Sequence, residues 1–207
     1  MPRTHTDALT WVEHCTQLLA AQVAALDEQA MTDPSALPGW TRKHLLAHVA
    51  ANADALGNLV HWARTGEPTP MYSSMDQRNA DIESGATLPA TRLAAWVNGS
   101  ARSLAVAMDA LTTDQWRAEV VTAQGRTVPA TEIPWLRARE VCVHAVDLGT
   151  GLTFADLPDG FLSALVVDIQ AKRGLVAVPD GPLPDVAAYL AGRPHSLTGV
   201  PDLGPWL

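Results

Sequence analysis

The chain has 207 residues, 47% hydrophobic and 17% charged, a composition that packs a core and argues against intrinsic disorder. That length suffices for one full core with a small appendage and is short for two ordinary domains. Acidic side chains number 22 against 14 basic ones, for a formal charge of -8, and no stretch gathers the bases, so nucleic acid is a poor partner.

The opening stretch, MPRTHTDALTWVEH, lacks the apolar core of a signal peptide, and no segment of membrane-spanning length is free of charge, which predicts a cytoplasmic protein. Leu9, Val12, Leu19, Val23 and Leu26 recur at helical steps and predict a first helix from about Asp7 to Ala30. After the Pro-Gly-Trp turn, Thr41 stands where a helix N-cap belongs and Gly66 where a C-terminal glycine belongs, bracketing a second long helix. Pro70 to Pro89 is polar and reads as a long connection able to lie over a site, with a short helical possibility around Met75 to Glu83. A third helix follows to Leu111, marked by Leu93, Trp96, Val97, Leu104 and Met108. Glu119 to Thr122 and Arg126 to Val128 flank an Ala-Gln-Gly turn suited to a short hairpin, and Thr131 to Leu148 reads as helix four.

Four helices of similar length joined by long connections predict a mainly α protein built on a four-helix bundle, an architecture that makes metal sites from facing helices. Residues 1–152 are expected to form this metal-binding unit. The remainder, 153–207, reads as a small accessory domain or flap with helices over Pro158 to Arg173 and Asp185 to Ala191, joined by a Gly- and Pro-rich linker. Cys15 and Cys142 lie in apolar helical stretches without a CxxC neighbour, so both are expected to be buried, inert thiols, with a reactive cysteine as the alternative.

His48 lies mid-helix in HLLAHVAANADAL, and REVCVHAVD carries Glu140 and His144 four residues apart, hence on one helix face. Two imidazoles and a carboxylate from two helices form the donor set of a catalytic zinc that keeps open positions. ExxxH by itself is common on solvated helices. Val141, Val143 and Val146 favour a buried helix, however, where an ionised glutamate needs a partner or a cation. His44, four residues before His48, is a weaker ligand candidate nearer the helix start. Asp147 is either the orienting partner of His144 or a plain surface carboxylate. Arg137, three residues before Glu140, either binds a substrate carboxylate or pairs with Glu140, while Arg78 and Arg193 lie in segments free to reach a pocket.

At these residues the chain resembles the mycothiol-dependent maleylpyruvate isomerases, members of the DinB-like superfamily of helical metal proteins. The resemblance is carried by GWTRKHLLAHVAANADAL, LVHWARTGEPTPMY, TAQGRTVPATEIPWLRAREVCVHAVDLG, the late LAGRP and the terminal PWL, and so runs through most of the chain. It implies a DinB-like bundle in which His48, Glu140 and His144 hold zinc. It also implies a cofactor, mycothiol, the actinobacterial counterpart of glutathione, and conversion of maleylpyruvate to fumarylpyruvate in gentisate catabolism. The partners implied are therefore a small dicarboxylate and a low-molecular-weight thiol, with no nucleic acid or membrane. Arg78, Arg137 and Arg193 are then candidates to face the substrate carboxylates and the developing enolate. Tyr72 and Gln124 are candidates to donate hydrogen bonds to substrate or cofactor, or else are structural turn residues.

The family commonly has a larger C-terminal domain with a small sheet, whereas here only GLVAVPDGPLPDV separates the last two helical segments. If the missing part encloses the thiol's sugar or the substrate, another thiol or acceptor is in play. A zinc-dependent thiol S-transferase and a non-catalytic metal-binding stress protein are the competing readings of the same residues.

Overall fold

The computed structural model describes residues 3–206; Leu207, which ends the PWL block, lies outside them. In chain order the elements are α1 (His5–Ala24), α2 (Glu28–Thr32), α3 (Arg42–Thr65), α4 (Met75–Ala86), α5 (Ala90–Asp109), α6 (Thr113–Trp116), β1 (Glu119–Val121), β2 (Thr127–Pro129), α7 (Ile133–Asp147), α8 (Asp159–Arg173) and α9 (Leu183–Leu190). Helices α1, α3, α5 and α7 form the bundle, with α7 lying against both α1 and α3, and α5 closing the far side of α3. Among the described residues no helix is long and apolar enough to cross a membrane.

Local chemistry sets the helix ends. Thr41 accepts from the backbone N–H of His44 while the His44 ring turns back to the N-cap, and Gly66 leaves α3 with φ 77°, in the left-handed region where glycine carries no Cβ penalty. Helix α1 starts with a capping box between Thr4 and Asp7 and ends at Ala24, earlier than the sequence pattern predicts; a separate short helix, capped by Asp27, follows. Its buried stripe is Ala8, Trp11, Cys15, Leu19 and Val23, so Leu9 and Val12 sit at the flank of the stripe. The polar stretch after Pro70 holds a full helix, α4, capped by Ser74 and seated on α3 through Ile82 and Gly85. A Cβ at Gly85 would lie 2.6 Å from the Ala47 Cβ and 2.8 Å from the Trp96 ring, so glycine is what permits this approach. β1 and β2 pair antiparallel with Val120 opposite Val128, both buried against the lower core.

One expectation is overturned. Cys15 and Cys142 are joined as a disulfide between α1 and α7, with Cα atoms 5.0 Å apart and both side chains fully buried. The two lie 127 residues apart, and only the packing of α1 on α7 reveals that they meet. The tail, free of strands among its described residues, packs into the same core: the Phe161 ring stands 6.0 Å from that of Trp11 and 5.8 Å from that of Trp135.

Candidate metal centre and its pocket

His48 on α3 and Glu140 and His144 on α7 converge, their ligand atoms all within 4.8 Å of one another. The two imidazoles address one carboxylate oxygen: Glu140 Oε2 is 3.0 Å from His48 Nε2 and 3.3 Å from His144 Nε2. A tetrahedral ion with bonds of about 2.0–2.1 Å needs ligand atoms about 3.3 Å apart, so the donor set suits a zinc-sized ion in its chemistry and in both of its imidazole–carboxylate separations.

Partners behind the ligands hold their orientation. His144 Nδ1 donates to Asp147 Oδ2 at 2.9 Å, which directs its Nε2 at the centre. Asp147 in turn accepts two bonds from Arg193, Nε to Oδ1 at 2.9 Å and Nη2 to Oδ2 at 2.7 Å, and Arg193 Nη1 donates to the Ala191 carbonyl. The chain His144, Asp147, Arg193 is buried throughout, so the tail braces the centre through one guanidinium. Burial opposes charge on His144, but the bonds to Asp147 and Glu140 outweigh it and raise its pKa to about 9; without a metal, a proton fills part of the cation's role. Burial likewise works against the Glu140 carboxylate, and the two histidines outweigh it, holding its pKa well below the ordinary value.

His48 behaves differently: burial dominates and lowers its pKa, despite Glu140. Arg78 Nη2 lies 3.1 Å from His48 Nδ1, and a guanidinium only donates, so Nδ1 accepts and Nε2 carries the proton given to Glu140. Coordination through Nε2 would move that proton to Nδ1, and Arg78 would then have to turn away.

Above the centre lies a cavity of about 290 Å³ lined by His48, Glu140, Tyr72, Arg78, Gln124 and Arg139 among others. Tyr72, Gln124 and Arg78 thus share a cavity with His48 and Glu140. Burial, reinforced by Glu140, raises the Tyr72 pKa, so its phenol keeps its proton and can donate. Arg137 and Arg193 do not line this cavity. Arg137 Nη1 donates to the Val49 carbonyl at 2.8 Å and to Asn52 Oδ1 at 2.9 Å, tying α7 to α3 instead of pairing with Glu140, and burial lowers its pKa to about 10. His44 caps α3 and stands apart from the centre. Arg139 is the charged pocket residue that sequence reasoning missed, beside the polar Asn52 and Thr122: its Nη1 bonds Asp168 Oδ2 at 3.1 Å and its guanidinium lies 5.3 Å from the Trp206 ring. The signal was its place beside Glu140, since a helix face that lines a cavity is wide enough to take in Leu136, Arg139 and Glu140 together.

The model of the mycothiol maleylpyruvate isomerase N-terminal domain family matches residues 12–149. The chain belongs to that family. Two solved structures resemble this member of the mycothiol maleylpyruvate isomerase family over its whole length. A mycothiol-dependent maleylpyruvate isomerase is 38% identical with a TM-score of 0.90, and a histidine-to-alanine mutant of such an isomerase is 37% identical with a TM-score of 0.91. Each match covers 99% of this chain and 98% of the other, tail included, so this family member lacks no large unit that those two chains possess. A search of curated proteins found no significant match. The mainly helical, DinB-like bundle expected of the family is the fold found.

Proposed function

We propose that this chain is a mycothiol-dependent cis-trans isomerase acting on maleylpyruvate, with a divalent metal, zinc by its donor set, held by His48, Glu140 and His144. The observation that carries the reading is the convergence of both imidazole Nε2 atoms on one Glu140 oxygen at the floor of an open cavity. Zinc there would keep a bound thiol as the thiolate, the form able to add to, and leave, a double bond activated by a carbonyl. The protein's own part is to bind and orient. Arg78, freed from His48 Nδ1, presents a planar pair of donors for a substrate carboxylate or the developing enolate, with Arg139 on the same cavity as a second cation. Tyr72 and Gln124 supply neutral donors, which orient an oxygen without adding charge. Arg193 acts at a distance, through Asp147, to set the His144 ring.

The test is turnover of maleylpyruvate by the zinc-loaded protein with substoichiometric mycothiol, followed by ultraviolet absorbance. Product in excess of thiol is expected; product limited to one thiol adduct would point to an S-transferase, and no thiol-dependent reaction would remove both. Bound zinc measured by mass spectrometry in His48→Ala, Glu140→Ala and His144→Ala is expected to fall nearly to zero. Undiminished zinc in all three would sink the metal centre.

A further inference from the structure

A second cavity, of about 420 Å³, opens beside the metal pocket between α3, α4 and α5, and the two share Met71, Tyr72 and Arg78 along their common wall. Its far wall differs from the metal pocket in charge. Asp54, Asn58, Gln77 and Asp81 line it, with Trp96 at one end. Each makes a local bond that engages only part of its polar end. Trp96 Nε1 donates to Asp54 Oδ2 at 2.8 Å, leaving Oδ1. Asn58 Nδ2 donates to the Pro70 and Met71 carbonyls at 3.2 Å each, leaving Oδ1. Gln77 Nε2 donates to Asp81 Oδ1 at 2.7 Å, leaving Asp81 Oδ2 and Gln77 Oε1. The wall is therefore rich in acceptors and flanked by an indole that Gly85 allows to pack tightly under α4.

We infer that this cavity is the subsite for the polyhydroxylated, uncharged portion of the thiol cofactor, whose sulfur reaches the metal pocket across Tyr72 and Arg78. The inference rests on the thiol-dependent reading above. Asp54 and Asp81 line this cavity and disfavour a dicarboxylate substrate there, whereas the metal pocket adds Arg139 to the Arg78 that both cavities share. Acceptors gathered opposite the donors of Tyr72, Ser73, Arg78 and Ser84 call for a ligand rich in hydroxyl groups, which both donate and accept, and the Trp96 indole suits the apolar face of a sugar or cyclitol ring. Each carboxylate already accepts from one neutral donor and keeps its second oxygen to accept from a hydroxyl.

The experiment measures binding, not turnover. Zinc-loaded wild type, Asp81→Ala and Asp54→Asn are titrated calorimetrically with S-methylmycothiol, whose capped sulfur cannot form a thiolate, and with S-methyl-N-acetylcysteine, which lacks the sugar. The wild type is expected to bind the first more tightly than the second. Asp81→Ala, which removes a side chain whose partner among the described residues is Gln77, should raise Kd for the first about tenfold and leave the second unchanged. Asp54→Asn, which keeps an acceptor for Trp96, should show a smaller shift in the same direction. Equal affinity of the wild type for both compounds, or a Kd for S-methylmycothiol that neither substitution moves, overturns the subsite. A wild type that binds S-methylmycothiol through this wall yet does not turn over maleylpyruvate would leave the subsite standing and remove the isomerase reading.

Discussion

The floor of the metal pocket lies on α3 and α7, where His48 and His144 are 7% and 2% exposed and each is oriented by a second side chain. Its mouth lies on α4, whose buried residues are only Ile82 and Gly85, and on the turns near Tyr72 and Gln124. A buried floor gains geometric precision, because the ligands are held by packing and, at His144, by a buried hydrogen bond to Asp147 that does not exchange with water. A polar, half-exposed mouth gains freedom, since Arg78 can leave His48 Nδ1 for a ligand without unmaking any core contact. Selectivity can therefore change at the mouth while the floor stays as it is.

The largest effect expected of that contrast comes from Asp147→Asn. The substitution weakens the hold on His144 and leaves Arg193 buried without its counter-charge. Zinc affinity should drop about 10–100-fold by competition with a chelator, and urea denaturation should show a loss of about 3–5 kcal/mol. Wild-type values in both measurements would mean that the floor is not held by this network.

Changing pH sharpens the same contrast with a smaller step. His144 has a folded-state pKa raised to about 9, so a proton competes with the metal below that pH, and apparent zinc affinity should rise about tenfold per unit from pH 7 toward 9. Metal-free stability runs the opposite way. The contribution of a raised histidine is fully present below its ordinary 6.5 and is lost as pH climbs through about 9, so urea midpoints in a chelating buffer should fall over that window. A flat zinc affinity across it would show that His144 is not the protonated partner.

The smallest effect on the centre is expected at the mouth. Gly85→Ala would press a methyl group into Ala47 and Trp96 and should cost about 1–3 kcal/mol of stability. Zinc affinity should hold at the wild-type value, because no ligand sits on α4. A parallel fall in zinc affinity would show that floor and mouth are coupled.

Much of this organisation is local and so legible in one dimension. Thr41 and Gly66 bracket α3 because capping is a matter of a few consecutive residues, and the four-residue step from Glu140 to His144 puts both on one face by helix geometry alone. The long blocks shared with the family placed His48 opposite them, where the structure brings all three together. What sequence spacing left open is what depends on which helix lies against which. Arg137 and Arg139 are two residues apart, yet α3 takes the first into the core and the cavity receives the second. Cys15 and Cys142 look like separate thiols until α1 packs on α7. Arg193, which sequence alone leaves free in the tail, is bound to Asp147 and so to His144. The sequence by itself determined the four bundle helices, the caps of α3 and, with the family resemblance, the chemical kind of donor set, because these rest on periodicity, nearest neighbours and shared blocks. Only the tertiary structure decided which arginines face the pocket, which thiols meet and what steadies His144, because those outcomes are set by burial and by contacts between residues distant in the chain.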